Sequence, residues 1–302
     1  MRVVALINYS AGSQGAVHKV RATLERCFAE RGVAAELQYL SGTELKAAAH
    51  EALALAKRGE IDAVVVGGGD GSVRTVAGVL ADTGVALGVL PLGTLNHFAR
   101  DIGIPMDVAA AAAIIAKGEV RVVDLAEVNG EVFVNNSSIG IYPYLVIARD
   151  RLQERHRLAK WIAMVPAFFR MLRHFQRRRL RIAIEGSAKP YRTPCVLIGN
   201  NEYARDLFAL GRRKQLDRGE LWLYVVKPRN PLQFFWMVCR LCFGKGDHAS
   251  DIDTFAVTNA EIAARASRLP VALDGEVEIM HTPLRYRSRP GALRVIVPAA
   301  SV

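Results

Sequence analysis

Two stretches carry residue types suited to phosphate chemistry: Gly67-Gly68-Gly69-Asp70-Gly71-Ser72 and Pro91-Leu92-Gly93-Thr94-Leu95-Asn96. Three successive glycines let the backbone turn tightly and approach a ligand closely. Ser72 is placed to cap a following helix, whose unpaired N–H groups and positive dipole end favour an oxyanion by about 0.3–1 kcal/mol. Asp70 sharpens this reading. A carboxylate among phosphate-cradling glycines repels the phosphates unless a cation intervenes, so it points to Mg²⁺ or to a strong hydrogen bond with ribose or phosphate; a plain helix cap is the alternative. Two familiar phosphate motifs are excluded. No G-x-x-x-x-G-K-[ST] occurs, and the third glycine of G-x-G-x-x-G falls on Arg74 when counted from Gly69 and on Ser72 when counted from Gly67.

The β-branched run from Ala63 to Val66 predicts a buried parallel strand leading into the glycines. Before it, the periodicity predicts a strand over 2–7, a Gly/Ser loop from Asn8 to Gly15, a helix over 16–31, a strand over 34–40 and a helix from Thr43 to Arg58. A strand over 86–90 and an alanine-rich helix over 107–117 follow. Alternation of this kind implies βαβ units and a parallel sheet covered by helices. After Gly118 the pattern changes. Arg121–Val128, the turn Asn129-Gly130 and Glu131–Ile139 read as a β-hairpin, and short strands interrupted by helices continue from Leu180 to Arg287. The expectation is an α/β domain over 1–125 and a mainly antiparallel β-sandwich with helical insertions over 126–290, with 291–302 returning to the first domain.

The 302 residues are 51% hydrophobic and carry a net charge of +11, which implies globular domains and an anionic partner. The apolar start, Val3 to Ile7, is too short for a signal-peptide core, and the four cysteines read as reduced thiols, so a cytoplasmic protein is expected. Cys239 and Cys242 lie in an apolar helical run without ligand histidines, which favours packing over zinc. Residues 149–181 hold eleven Arg or Lys against Asp150 and Glu154, and they enclose the apolar run from Trp161 to Phe169. Even twelve apolar residues span only about 18 Å of a roughly 30 Å hydrocarbon core, so this segment does not cross a bilayer. It reads either as an interfacial anchor on an anionic membrane or as a helix pair with a solvated basic face. No reader motif accompanies the charge, so nucleic acid is not expected. A homodimer is left open.

Gly68-Gly69-Asp70-Gly71-Ser72 followed by Pro91-Leu92-Gly93-Thr94-Leu95-Asn96 resembles the bacterial diacylglycerol kinase-like lipid kinases, whose catalytic domain sphingosine kinases share. Three further segments fit: Asn8 to Gly15, Val123-Asp124-Leu125 and Asp274-Gly275-Glu276. The resemblance implies a phosphofructokinase- or NAD-kinase-like α/β domain followed by a β-sandwich. It implies ATP and Mg²⁺ between them, and the hydroxyl of a membrane lipid such as diacylglycerol as acceptor, met at the inner face of the membrane. Carried over, Gly68, Gly69, Gly71 and Thr94 would contact phosphates. Asn8, Ser10, Gly12 and Asn96 would complete the nucleotide site. Asp70 and Asp124 would organise Mg²⁺, Asp274 would be the base facing the hydroxyl, and Glu276 would stand beside it.

Departures accompany the matches. His97 stands where many members carry Asp, and an imidazole brings no negative charge to a metal-water network. Tyr9 replaces the early loop's usual Pro, and Ser13-Gln14 stands where a basic residue often follows the glycine. In Gln215–Leu221 the second of two adjacent acids is Arg218, which argues against a structural Mg²⁺ site there. Asp-Gly between Leu273 and Glu276 is also ordinary hairpin chemistry. The alternatives are a soluble kinase for NAD or a sugar phosphate, and a non-catalytic nucleotide- or lipid-binding protein.

Overall fold

The computed structural model describes residues 1–9, 14–141, 175, 177–203, 213, 215–242 and 251–299. Two compact units result: Met1–Leu125 with Arg289–Val302, and Ala126–Ser288.

The first unit alternates strands and helices: β1 (Arg2–Asn8), α1 (Gln14–Ala29), β2 (Ala34–Leu40), α2 (Leu45–Lys57), β3 (Ala63–Gly68), α3 (Asp70–Leu80), β4 (Ala86–Pro91), α4 (His97–Asp101) and α5 (Val108–Lys117). The strands pair in parallel in the order β2-β1-β3-β4. Val64, Val65 and Val66 are wholly buried, as strands covered on both faces require. Asp107 caps α5 by accepting the Ala110 amide at 2.8 Å.

The second unit begins in the last residues of β5 (Glu119–Val128). It continues with β6 (Glu131–Phe133), β7 (Asn136–Gly140), β8 (Arg178–Ile184), β9 (Ser187–Thr193), β10 (Cys195–Asn200), β11 (Leu221–Val226), α6 (Pro231–Cys242), β12 (Ile252–Val257), β13 (Asn259–Ala264), β14 (Arg268–Leu273), β15 (Glu276–His281) and β16 (Leu284–Val297). One antiparallel sheet runs β12-β11-β10-β7-β14-β15, and a second runs β9-β8-β13 to the start of β16. Ile182, Ile262 and Tyr286 of the second meet Ile139, Val196, Leu223 and Val271 of the first in one core. The expected sequence of an α/β domain and an antiparallel sandwich is the fold observed.

Several strand boundaries differ from expectation. The Asn129-Gly130 turn forms with both residues at positive φ, but its second arm ends at Phe133. The amides of Val134, Asn135 and Asn136 turn instead to the carboxylate of Asp274, and β7 then enters the other sheet. Pro194, which has no N–H for a ladder, separates β9 from β10 inside the expected strand 191–199. Leu284–Val297 is one unbroken strand, pairing with β13 at its start and with β4 at Arg294 and Val295. Ser10, Gly12, Ser13 and most of the basic segment 149–181 lie outside the described residues. Among those described, no helix is long and apolar enough to cross a membrane.

Candidate active site

The order β2-β1-β3-β4 sends the chain from β1 to one side and then back across it to β3. Ligands in open α/β sheets bind at such a reversal, outside the carboxyl ends of the strands. Asn8 ends β1 there and Gly68 ends β3 beside it, Ile7 being in register with Gly67. The Asn8 side chain donates from Nδ2 to Ser72 Oγ at 2.9 Å. Ser72 is therefore not the expected cap. α3 starts at Asp70 with Gly69 in the cap position, and Ser72, nearly buried in its first turn, ties that helix to β1. The start of α3 still offers the unpaired N–H groups that an oxyanion needs.

The two glycine motifs form one structure. The amides of Leu92 and Gly93 both donate to Gly68 O at 3.1 Å. A methyl group on Gly93 would lie 2.3 Å from Gly69 Cα and 2.7 Å from Asn96 Oδ1, so the two loops touch backbone to backbone. Asn96, at φ 49°, closes the second loop on itself: Gly93 N–H donates to Oδ1 at 3.0 Å, and Nδ2 donates to Gly93 O at 2.9 Å. That leaves Thr94 as the exposed polar side chain of the loop. Gly93→Ala is accordingly expected to cost about 1–3 kcal/mol by overpacking. It should also weaken nucleotide binding markedly, read as a lowered unfolding temperature and loss of the thermal shift given by ATP.

Asp70 joins the motifs electrostatically. Its Oδ2 accepts the His97 amide at 3.1 Å and its Oδ1 the Phe98 amide at 3.0 Å, so one carboxylate caps α4 from 27 residues away. His97, the departure noted in the sequence, is bound to Asp70 through its backbone. Asp124 is nearly buried and accepts the Gly291 amide at 2.8 Å, fastening β5 to the returning chain. Among the described residues no three His, Cys, Asp or Glu side chains gather into a protein-only metal site. One or two carboxylates beside a phosphate cradle are nevertheless the hard-oxygen set that Mg²⁺ uses when phosphates and waters supply its other ligands. Glycine is required at Gly68 and Gly93 by the protein itself, since a side chain there would meet Ser72 and Gly69, and the unpaired N–H groups at the start of α3 are what suits a phosphate.

In the second unit, Asp274-Gly275 is the two-residue turn between β14 and β15, with φ of 48° and 89°, the positive-φ pair of a tight hairpin. Asp274 does more than turn the chain. Its Oδ1 accepts the amides of Asn135 (2.7 Å) and Asn136 (3.1 Å), and its Oδ2 accepts that of Val134 (2.8 Å). Glu276 is exposed and paired across the turn with Leu273.

Sequence reasoning missed the other side of this clamp. Arg213, 7% exposed, donates to Val134 O at 2.7 Å, Asn200 O at 3.1 Å and Asn135 Oδ1 at 3.1 Å. Val134 and Asn135 are thus held by a cation through their oxygens, and residues 134–136 by a carboxylate through their amides. Asn136 Nδ2 donates in turn to the Tyr203 hydroxyl at 3.0 Å. Burial pushes the Tyr224 phenol up to about 12, so its oxygen stays a neutral acceptor for the Tyr203 amide. The available signal was the pairs Asn135-Asn136 and Asn200-Asn201 interrupting apolar strands, since buried amides need partners. Arg218 lies within 3.8 Å of Glu202, and Asp217 is exposed.

Residues 2–128 match the family described as diacylglycerol kinase catalytic domain. Residues 144–297 match the YegS C-terminal NAD kinase beta sandwich-like domain. The Pseudomonas aeruginosa protein named "Probable lipid kinase YegS-like" is 33% identical over 258 residues, covering 79% of this chain and 77% of that protein. The "Diacylglycerol kinase" of Bacillus subtilis is 43% identical over 91 residues, 29% of this chain and 30% of that one. A Bacillus anthracis crystal structure carrying a provisional diacylglycerol kinase name superposes with a TM-score of 0.78 at 25% identity, covering 100% of this chain and 96% of that one.

Proposed function

Because the chain belongs to the diacylglycerol kinase-like lipid kinase family, with its catalytic domain followed by the YegS-type sandwich, we propose that it moves the γ-phosphoryl group of ATP to a hydroxyl of a membrane lipid such as diacylglycerol. The observation that carries this is the single centre built from both glycine motifs, with Gly68 and Gly93 too crowded for side chains and Asp70 binding across them. Phosphoryl transfer through a loose transition state asks for positioning and charge neutralisation more than for covalent chemistry.

In this reading the backbone of Gly68, Gly69 and Gly71 cradles the phosphates. The Thr94 hydroxyl reaches them from the second loop, and Asn96 acts by fixing that loop. Asn8 is assigned to the nucleotide side, as are Ser10 and Gly12, which lie outside the described residues. Asp70 and Asp124 would hold Mg²⁺ through its waters; when bound, the ion supplies positive charge against the triphosphate. Asp274 presents a carboxylate of fixed orientation that accepts the lipid hydroxyl and takes its proton late, with Glu276 beside it. The working place is the cytoplasmic face of a membrane, with the basic segment 149–181 as the contact to anionic lipid.

Incubation with γ-labelled ATP, Mg²⁺ and a panel of lipid alcohols is expected to place label in an organic-soluble product. Absence of any labelled lipid, with label in NADP or a sugar bisphosphate, would overturn the assignment.

A further inference from the structure

The outer face of β9, β8 and β13 gathers arginines from three adjacent strands. Leu180 and Ile182 are buried in the sandwich core, and Tyr191 and Ala264 pack against it, so by alternation Arg179, Arg181, Arg192, Ala263 and Arg265 face outward. Arg192 stands opposite Arg179 in the ladder. On the other side Ala264 lies opposite Leu180, so Arg265, the next residue, comes beside Arg179. Three guanidinium groups thus share one row across three strands. In the next outward row Arg181 has only Pro190 and Ala263 beside it, and these short side chains leave a shallow groove of about 570 Å³ lined by all four arginines.

The charges in this groove are uncompensated. Each of the four arginines is exposed, and among the described residues none of them forms an ion pair. Like charges opposite one another across a ladder destabilise it. The same field reaches Arg177, which donates to Arg192 O from Nε at 3.0 Å and from Nη2 at 2.6 Å. Desolvation first, and then the like charges of Arg192 and Arg229, hold the Arg177 guanidinium below its ordinary value. The basic area is also bounded. In the following outward row Ala183 stands between Ala188 and Glu261, and Glu261 already pairs with Arg285 at 3.2 Å. Strands about 4.8 Å apart, with residues about 3.4 Å along them, confine the four Cα atoms to roughly 10 by 7 Å.

Those dimensions select the ligand. Arginine holds phosphoryl oxygens in bidentate pairs, and two phosphoryl groups of about −1.5 to −2 charge each offset four guanidinium groups. A nucleic acid or an acidic protein segment would run on past the row that Glu261 closes. A bilayer would find nothing to bury, since no large apolar side chain among the described residues of β8, β9 or β13 is exposed. We propose that this groove is a second anion site, which binds a compact anion of two or three linked phosphoryl groups, free or as the tail of a nucleotide. None of the residues assigned to phosphoryl transfer lies on these three strands. Arg179 and Arg181 end the basic segment 149–181, whereas Arg192 and Arg265 lie outside it and carry the test.

Calorimetric titration with inorganic pyrophosphate, without Mg²⁺, compares wild type with R192Q/R265Q, in which the nucleotide cradle is unaltered. Wild type is expected to bind pyrophosphate at least about tenfold more tightly than the variant does, and by a similar margin more tightly than it binds orthophosphate. The unliganded variant should melt no lower than wild type in low salt, since repulsion is relieved, and should keep the thermal shift given by ATP. A wild-type advantage with ADP but not with pyrophosphate supports the site and assigns it to a nucleotide tail. Equal titrations of the two proteins with both probes overturn the proposal. So does orthophosphate binding as tightly as pyrophosphate, the mark of a diffuse basic surface, or a variant that melts lower. Failure of the lipid-kinase reading would appear separately, as absence of labelled lipid with the difference in titration intact.

Discussion

An Asp70→Asn protein is expected to transfer phosphate at least about a hundredfold more slowly than wild type, the cost of losing an electrostatic group at a phosphoryl centre. The carboxylate now takes the His97 and Phe98 amides, one on each oxygen. Asparagine keeps one acceptor and turns an N–H₂ toward the other amide, two donors facing one another. Hydrogen bonds to charged groups contribute about 1.5–3 kcal/mol, so the start of α4 and the loop ahead of it should loosen by that amount. The negative charge beside the cradle is lost as well. Kinetics in mixed micelles paired with thermal melts separate the two effects. A variant melting several degrees lower yet turning over within threefold of wild type would leave Asp70 as a brace alone and remove it from the proposed Mg²⁺ site.

Asp274→Asn should be about as damaging to turnover, roughly 10²–10⁴-fold as for loss of a positioned proton acceptor. Its structural cost is also definite. Asparagine can keep its oxygen on the Asn135 and Asn136 amides, and its N–H₂ then opposes the Val134 N–H, now 2.8 Å from Oδ2. The deficit should fall on kcat, with the KM for ATP moving little, because Asp274 is assigned to the acceptor hydroxyl. Arg213→Met supplies the control. It breaks the opposite side of the same clamp without touching the carboxylate, so it should destabilise the protein more than it slows the residual enzyme. Equal losses of kcat in both would mean that the clamp, and not the Asp274 carboxylate, carries the effect.

Much of the architecture could be read from residue patterns because it follows from local periodicity. The valine run of β3, the alanine run of α5 and the Asn129-Gly130 turn each act within a few residues. What escaped notice was non-local. The hairpin arm after Gly130 ends where it does because of a carboxylate about 140 residues away, and no propensity around Val134 announces it. The same holds at the site. Glycine spacing pointed to a phosphate centre, but the helix that Asp70 caps is α4, not α3. Gly93 is required by contact with Gly69, a fact of packing rather than of turn type. Nothing in the residues around Arg213 marks it, and only the fold buries it among carbonyl oxygens.

Acceptor preference separates a lipid kinase from a soluble kinase most directly. In one preparation, with labelled ATP and Mg²⁺, kcat/KM would be measured for diacylglycerol in mixed micelles and for NAD in solution. A value for diacylglycerol at least about a hundredfold above that for NAD, and abolished together with Asp70, is the result predicted. Label passing to NAD, with diacylglycerol left unmodified, would contradict it.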